Sequence, residues 1–269
     1  MAAAQQQKAE EFRAMHNGET FVIPNPWDAG SARVLEALGF KALATSSAGF
    51  AFTLGRLDGD VTLDEMADHA GALDRATALP VSVDLENGYG PGPEDAANAI
   101  THVAAAGAVG GSIEDWDPDR RVIYDLDHAV ERVAAAARAA TSLDLPFTLT
   151  ARAENFFRHR DDPDLDDTIA RLQAFGRAGA DVLYAPGLRN PEEIAAVCDA
   201  VDKPVNVLAF AQLEMSLQDF ADAGARRISV GSLLSLVSVD AMAKAAERIR
   251  DDGDFSALAA HPPIKRWLS

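Results

Sequence analysis

Eight times along this chain, a short run rich in β-branched residues gives way to a longer stretch of helical periodicity, often stopped by glycine. The expected strands lie at residues 21–24, 42–46, 81–86, 111–115, 147–152, 181–184, 204–208 and 227–230. The helices between and after them are expected at 31–38, from Thr62 onward, and at 93–106, 126–140, 166–177, 191–201, 217–223 and 238–250. Strands alternating with helices at this spacing form βα units and a parallel sheet. Eight units in about 235 residues predict a closed (β/α)8 TIM barrel of the α/β class rather than an open doubly wound sheet. No GxGxxG or Walker loop follows the first strand, which agrees. A short helix at about 5–16, ended by Asn17-Gly18, precedes the first strand. No linker or low-complexity stretch divides residues 1–269, so one barrel domain is expected.

Composition narrows the partners. The net charge is −18, a field that repels nucleic acid and anionic membranes, so neither is expected as a partner. No stretch reaches the ~18 apolar residues of a membrane span. Cys198 is the only cysteine, so no disulfide framework is possible. Met1 to Glu11 lacks the apolar core of a signal peptide, and a cytoplasmic location is expected.

In a parallel barrel the site is built at the C-terminal strand ends. The third strand, Val81-Ser82-Val83-Asp84-Leu85-Glu86, places Ser82, Asp84 and Glu86 on one face, because side chains alternate. The fourth strand ends in Glu114 and Asp115. Three acids on adjacent strand ends suit a hard oxygen-ligand cation, with Asp84 as direct ligand and Glu86 and Glu114 holding its waters. The expected ion is Mg2+, with Mn2+ as a substitute. Zinc is not expected, since no His or Cys accompanies the acids. The alternative is a set of arginine salt bridges across the rim. Arg152, ending the fifth strand, can pair with a substrate carboxylate or neutralise Glu154 or Glu114. Thr45-Ser46-Ser47 offers hydroxyls and N–H groups to an oxyanion. Residues 48–61, which include Asp58, are expected to form a long loop and a lid. No lysine falls on this rim, which excludes a Schiff-base aldolase.

Several stretches occur in order: Pro24-Asn25-Pro26-Trp27-Asp28-Ala29, Thr45-Ser46-Ser47-Ala48-Gly49, Leu54-Gly55 to Asp58, Val83 to Gly90, Ile113-Glu114-Asp115, Thr150-Ala151-Arg152 and Pro204-Val205-Asn206. Together they resemble the isocitrate lyase/phosphoenolpyruvate mutase superfamily across nearly the whole chain. The resemblance implies a Mg2+-dependent barrel, a homodimer or homotetramer that exchanges its eighth helix, and a pyruvate-type enolate held on the metal. It implies Asp84 as metal ligand, with Glu86 and Glu114 acting through water. It assigns Ser46 and Ser47 to the pyruvyl group and Asp58 to the gating loop. Arg152 would pair with substrate charge, Trp27 would wall the pocket and Asn206 would touch the substrate.

Departures from the family pattern narrow the chemistry. The lyase loop Lys-Lys-Cys-Gly-His is absent after the fourth strand, where the chain reads Trp116 to Tyr124. The sixth strand ends Ala185-Pro186-Gly187 where the lyases place a glutamate. The expectation is therefore a divergent lyase that cleaves a C–C bond of a small 2-oxo or 2-hydroxy acid. The alternative within chemistry is P–C bond cleavage of a phosphonopyruvate. The alternative of another class is a barrel that binds a 2-oxo acid without turnover.

Overall fold

The computed structural model describes residues 2–159, 161–259 and 262–268. Eight strands form one sheet: β1 (Phe21–Ile23), β2 (Leu43–Ala44), β3 (Val81–Asp84), β4 (Gly110–Glu114), β5 (Thr148–Arg152), β6 (Val182–Tyr184), β7 (Val205–Leu208) and β8 (Arg227–Ser229). Their order is β1-β8-β7-β6-β5-β4-β3-β2, and every neighbouring pair is parallel. The order ends on β1 and β2, and the Ala44 N–H bridges that seam to the Pro24 carbonyl at 3.1 Å. Helices connect successive strands, giving the (β/α)8 barrel expected from the alternation.

The alternation along β3 explains how the core and the site separate. Val81, Val83 and Leu85 are buried, the last two against helix Pro93–Ala105 through Ala96, Ile100 and Val103. Ser82 and Asp84 point the other way, into the barrel interior. The main apolar core thus lies between sheet and helices, and polar groups fill the inside. Thr62 opens the helix Leu63–Ala76 with the expected capping box to Glu65.

The N-terminal helix Ala2–Met15 covers the lower barrel end. Phe12 is fully buried with Ala9, Ile23, Ala42 and Val109. Gly110 makes room for it: a Cβ there would lie 2.8 Å from Phe12 Cε1.

Four features depart from the sequence expectation. Residues 48–61 are not all loop, because Ser46 caps a helix Ser47–Thr53 by accepting from the Gly49 N–H. After β4 an antiparallel ribbon pairs Trp116–Asp117 with Val122–Ile123. A short helix, Asn155–Arg158, follows β5. The last barrel helix begins at Leu233 rather than 238 and runs 20 residues to Asp252. Among its described residues only Ser235 is buried, while Leu236, Val237 and Met242 are more than half exposed. This helix does not cover the barrel as its predecessors do.

Candidate active site

Asp84 ends β3 at the centre of a hydrogen-bond set. Its Oδ1 accepts from Arg152 Nη1 at 2.9 Å and Ser112 Oγ at 3.4 Å. Its Oδ2 accepts from Ser47 Oγ at 3.2 Å, and its N–H donates to Thr45 Oγ1 at 2.8 Å. Beyond it the chain turns sharply. Glu86 has φ 48° and Tyr89 φ 62°, left-handed values rare outside glycine and concentrated at functional loops. The Glu86 carbonyl accepts from the Glu114 N–H at 2.8 Å, locking this loop to β4. Gly88 (φ 82°) has no room for a side chain, since a Cβ would lie 2.9 Å from Ala96 Cα. Arg132, only 1 % exposed, clamps the loop from below. Its guanidinium donates to the carbonyls of Asn87, Gly90 (2.8 Å) and Gly92 (2.9 Å).

Arg152 ends β5 and braces three acids at once. It pairs with Asp84 at 2.9 Å, Glu114 at 3.1 Å and Glu154 at 2.6 Å, and it lies 5.0 Å over the Tyr184 ring. Arg158, on the short helix after β5, reaches back to Glu154 at 3.1 Å and Glu114 at 3.5 Å, and lies 4.6 Å over the Trp116 ring. The rim arginine bridges weighed from sequence are thus present. They do not neutralise the acids. Five carboxylates, Asp58, Asp84, Glu86, Glu114 and Glu154, line one 280 Å³ cavity, against Arg152 and Arg158. Below it lies a smaller 60 Å³ space lined by Asn25, Thr45, Ser46, Asn206, Arg227 and Ser229.

The acid excess has electrostatic consequences. Burial pushes Glu86 up to about 8, and the charges of Asp84 and Asp58 add to it. Burial likewise raises Glu114 well above the usual carboxylate range, with Glu154 adding to the effect. Asp58 is raised by burial too: its residue lies on an exposed loop, and its carboxyl turns into the cavity beside Ser47. On Arg152 the charges of Glu154, Glu114 and Asp84 outweigh burial and hold the proton more tightly than usual.

The donor set fits a hard divalent cation. Glu86 Oε1 is buried without a hydrogen-bond partner. Such an atom is costly unless something positive meets it. Among the described residues no three acid, His or Cys side chains converge as a ready coordination shell. An ion held by one or two carboxylates and several waters does not need such a shell.

A pH dependence follows. Glu86 holds its proton to about 8 in the fold against an ordinary value of 4.5, and Asp115 to about 7 against 3.8. Folded values above unfolded ones mean stability fullest below the unfolded values and lost as pH rises through the folded ones. The metal-free protein should therefore melt at progressively lower temperature between about pH 5 and about pH 8. Mg2+ should raise the melting temperature more at the upper end, because it displaces the proton. A melting temperature flat across that window, with or without Mg2+, would contradict this.

The structure gathers most of the residues singled out from sequence. Asp58, Asp84, Glu86, Glu114, Arg152, Ser46 and Ser47 line the larger cavity, and Thr45 and Asn206 the smaller. Trp27 lines neither. It is half-buried at the start of the next helix, where its N–H donates to Ser31 Oγ. Arg158, Tyr184, Trp116, Phe157 and Phe210 also line the larger cavity and were not singled out. For Arg158 a signal existed, since Glu154 and Arg158 are spaced i,i+4 and pair on one helical turn. Tyr184 ends the apolar β6 and carried none.

A parallel barrel with an acid-rich, arginine-braced site at the C-terminal strand ends defines the class as a (β/α)8-barrel enzyme. A family profile described as phosphoenolpyruvate phosphomutase matches residues 12–250, and the chain belongs to that family, within the isocitrate lyase/phosphoenolpyruvate mutase superfamily. The chain is similar to a Burkholderia cenocepacia J2315 protein of known structure, provisionally described as a lyase/mutase. Identity is 50 %, the TM-score 0.94, and coverage 99 % of this chain and 97 % of that one. An uncharacterized protein of Mycobacterium tuberculosis H37Rv is 31 % identical over 241 residues, 88 % of this chain and 87 % of the relative. An oxaloacetate decarboxylase of Bradyrhizobium diazoefficiens is 30 % identical over 222 residues, 79 % of this chain and 74 % of the relative.

Proposed function

We propose that this chain is a Mg2+-dependent lyase that cleaves a carbon–carbon bond of a small 2-oxo or 2-hydroxy acid. The observation that carries the reading is the excess of acids over arginines in the cavity, with Glu86 Oε1 buried and unpartnered. The name of the Bradyrhizobium relative, an oxaloacetate decarboxylase, supports the reaction type.

In this reading Asp84 holds the ion directly, and Glu86 and Glu114 hold its waters. Bound there, Mg2+ supplies Lewis-acid polarisation of a substrate oxygen, an effect often worth several kcal/mol. Arg152 turns its fork toward the substrate carboxylate. Ser46 and Ser47 donate to the same end, and Thr45 and Asn206 shape the floor. Asp58 belongs to the gating loop and turns its carboxyl into the cavity, where burial favours the protonated form. Trp116, Phe157 and Phe210 exclude water from the reacting end. The reading extends to a single barrel domain over residues 1–269, located in the cytoplasm. It includes a dimer or tetramer in which the helix Leu233–Asp252 is exchanged between subunits. That exchange would cover its exposed apolar residues.

A second reading, P–C bond cleavage of a phosphonate, is favoured by the description of the family profile. One experiment separates them. A panel of 2-oxo and 2-hydroxy acids is incubated with Mg2+, with detection of pyruvate or glyoxylate, alongside phosphonopyruvate with detection of phosphate. The expected result is release of a 2-oxo acid that stops on chelation. Phosphate release alone favours the second reading. Mg2+-dependent oxalate binding with no turnover of any compound overturns both and leaves a binding protein.

A further inference from the structure

Arg227 begins β8 and turns into the barrel interior, where it is 5 % exposed. Its guanidinium reaches across the barrel. Nε donates to Asn206 Oδ1 on β7 at 2.8 Å, and Nη2 donates to Thr150 Oγ1 on β5 at 2.9 Å. Nη1 lies 3.2 Å from His16 Nε2, just past the N-terminal helix. Among the described residues no carboxylate offsets its charge, in a chain with 42 acids. Burial lowers the guanidinium to about 10, so it stays charged at neutral pH. A buried cation without a counter-charge is costly.

The fork settles an orientation. A guanidinium has no acceptor, so the Asn206 atom facing it is the carbonyl Oδ1. Nδ2 is sent the other way and donates to Ser229 Oγ at 3.0 Å. That nitrogen carries two hydrogens, and Asn206 lines the 60 Å³ space under the active cavity. From this geometry we propose that Arg227 is a positioning residue for substrate: it holds the Asn206 amide so that Nδ2 meets the anionic end of the substrate from the floor. The proposal rests on the 2-oxo acid reading and deepens it, by naming the group that keeps the floor a donor rather than an acceptor.

Neighbours on both sides make the arrangement rigid. His16 Nδ1 lies 2.8 Å from the Phe12 carbonyl, which can only accept, so Nδ1 carries the proton and Nε2 accepts from Arg227. Burial, with the charge of Arg227 added, pushes the His16 imidazole down to about 3 and keeps it neutral. The rings of Phe12 and Phe21 hold it edge-on, at 4.8 and 5.3 Å. On the other side Ser229 also hydrogen-bonds the Tyr184 hydroxyl, and Arg152 lies over the Tyr184 ring. A line of contacts thus runs from the N-terminal helix through Arg227 and Asn206 to the arginine of the active cavity. Without Arg227 the amide is free to turn Oδ1 toward the substrate anion, which it repels.

The test is a double-mutant cycle read by calorimetry, with oxalate as the probe and Mg2+ present. Wild type, Arg227→Met, Asn206→Ala and the double variant are compared. Each single variant should bind oxalate at least about tenfold more weakly, and the double variant should match Asn206→Ala within about twofold, because Arg227 acts through Asn206. If Arg227 only packs the barrel, Arg227→Met lowers the melting temperature and leaves oxalate affinity alone. That result overturns the proposal, and so do additive losses in the double variant or an Asn206→Ala variant with wild-type affinity. Should the methionine variant fail to fold, Arg227→Lys takes its place in the cycle. Lysine keeps the charge but cannot hold Asn206, Thr150 and His16 together, so affinity should fall at least about threefold, again only where Asn206 is present. A lysine variant with unchanged affinity overturns the proposal. Oxalate bound by the wild type with an additive cycle sinks the positioning role alone. A wild type that binds no oxalate sinks the 2-oxo acid reading and the positioning role with it.

Discussion

Asp84→Asn is expected to lower kcat/KM by about 10³-fold, ~4 kcal/mol of transition-state stabilisation, and to abolish measurable Mg2+ affinity. The metal-free protein should melt at the same temperature or higher. Both halves follow from the same charge imbalance. The cavity holds more acids than arginines, so an amide at position 84 removes repulsion felt by Glu86 and Asp58. Arg152 keeps Glu114 and Glu154 as partners, and an asparagine Oδ1 still accepts from it. If Asp84 served only as a partner of Arg152, the pattern would reverse, with stability falling and turnover persisting. Paired calorimetry and kinetics on the one variant decide. Full turnover with unchanged Mg2+ affinity would sink the metal reading.

Arg152→Met should destabilise the fold by about 3–5 kcal/mol and leave no detectable activity. Glu154 is fully buried and Glu114 6 % exposed. Methionine removes the cation that bridges them and leaves Arg158 alone to serve both. The loss should deepen as pH rises, because Glu114 already resists ionisation through burial and loses the group that favours its charged form. Denaturant titration reads this as a fall in midpoint at unchanged slope. Should the methionine variant fail to fold, Arg152→Lys keeps the charge and loses the planar fork. It should fold and bind substrate many-fold more weakly. A lysine variant with unchanged KM would show that Arg152 braces the acids without touching substrate.

Much of this arrangement is visible before any coordinates. Ser82 and Asp84 face the barrel interior because strand side chains alternate, and no tertiary information is needed for that. Glu114 and Arg152 sit at the ends of neighbouring strands in register, Glu114 opposite Arg152 across β4 and β5. Eight βα units and the rule that barrel sites form at C-terminal ends place them on one rim. Helix Ser47–Thr53 was hidden because its glycine reads as loop, and the Ser46 cap outweighs it. The ribbon after β4 was hidden because its two strands have two residues each, too short for any pattern.

The chain alone decides which acids reach the rim, since strand period and βα order are local properties. Contact across the rim is not local. Arg152 lies among Asp84, Glu114 and Glu154 because β3, β4 and β5 are adjacent and curved toward one another. Arg158 joins them because a short helix folds it back over Trp116 from the ribbon. The last helix keeps its apolar face exposed for the same kind of reason. Its sequence has helical periodicity, but whether a barrel surface lies beneath a helix depends on how the preceding turn aims it.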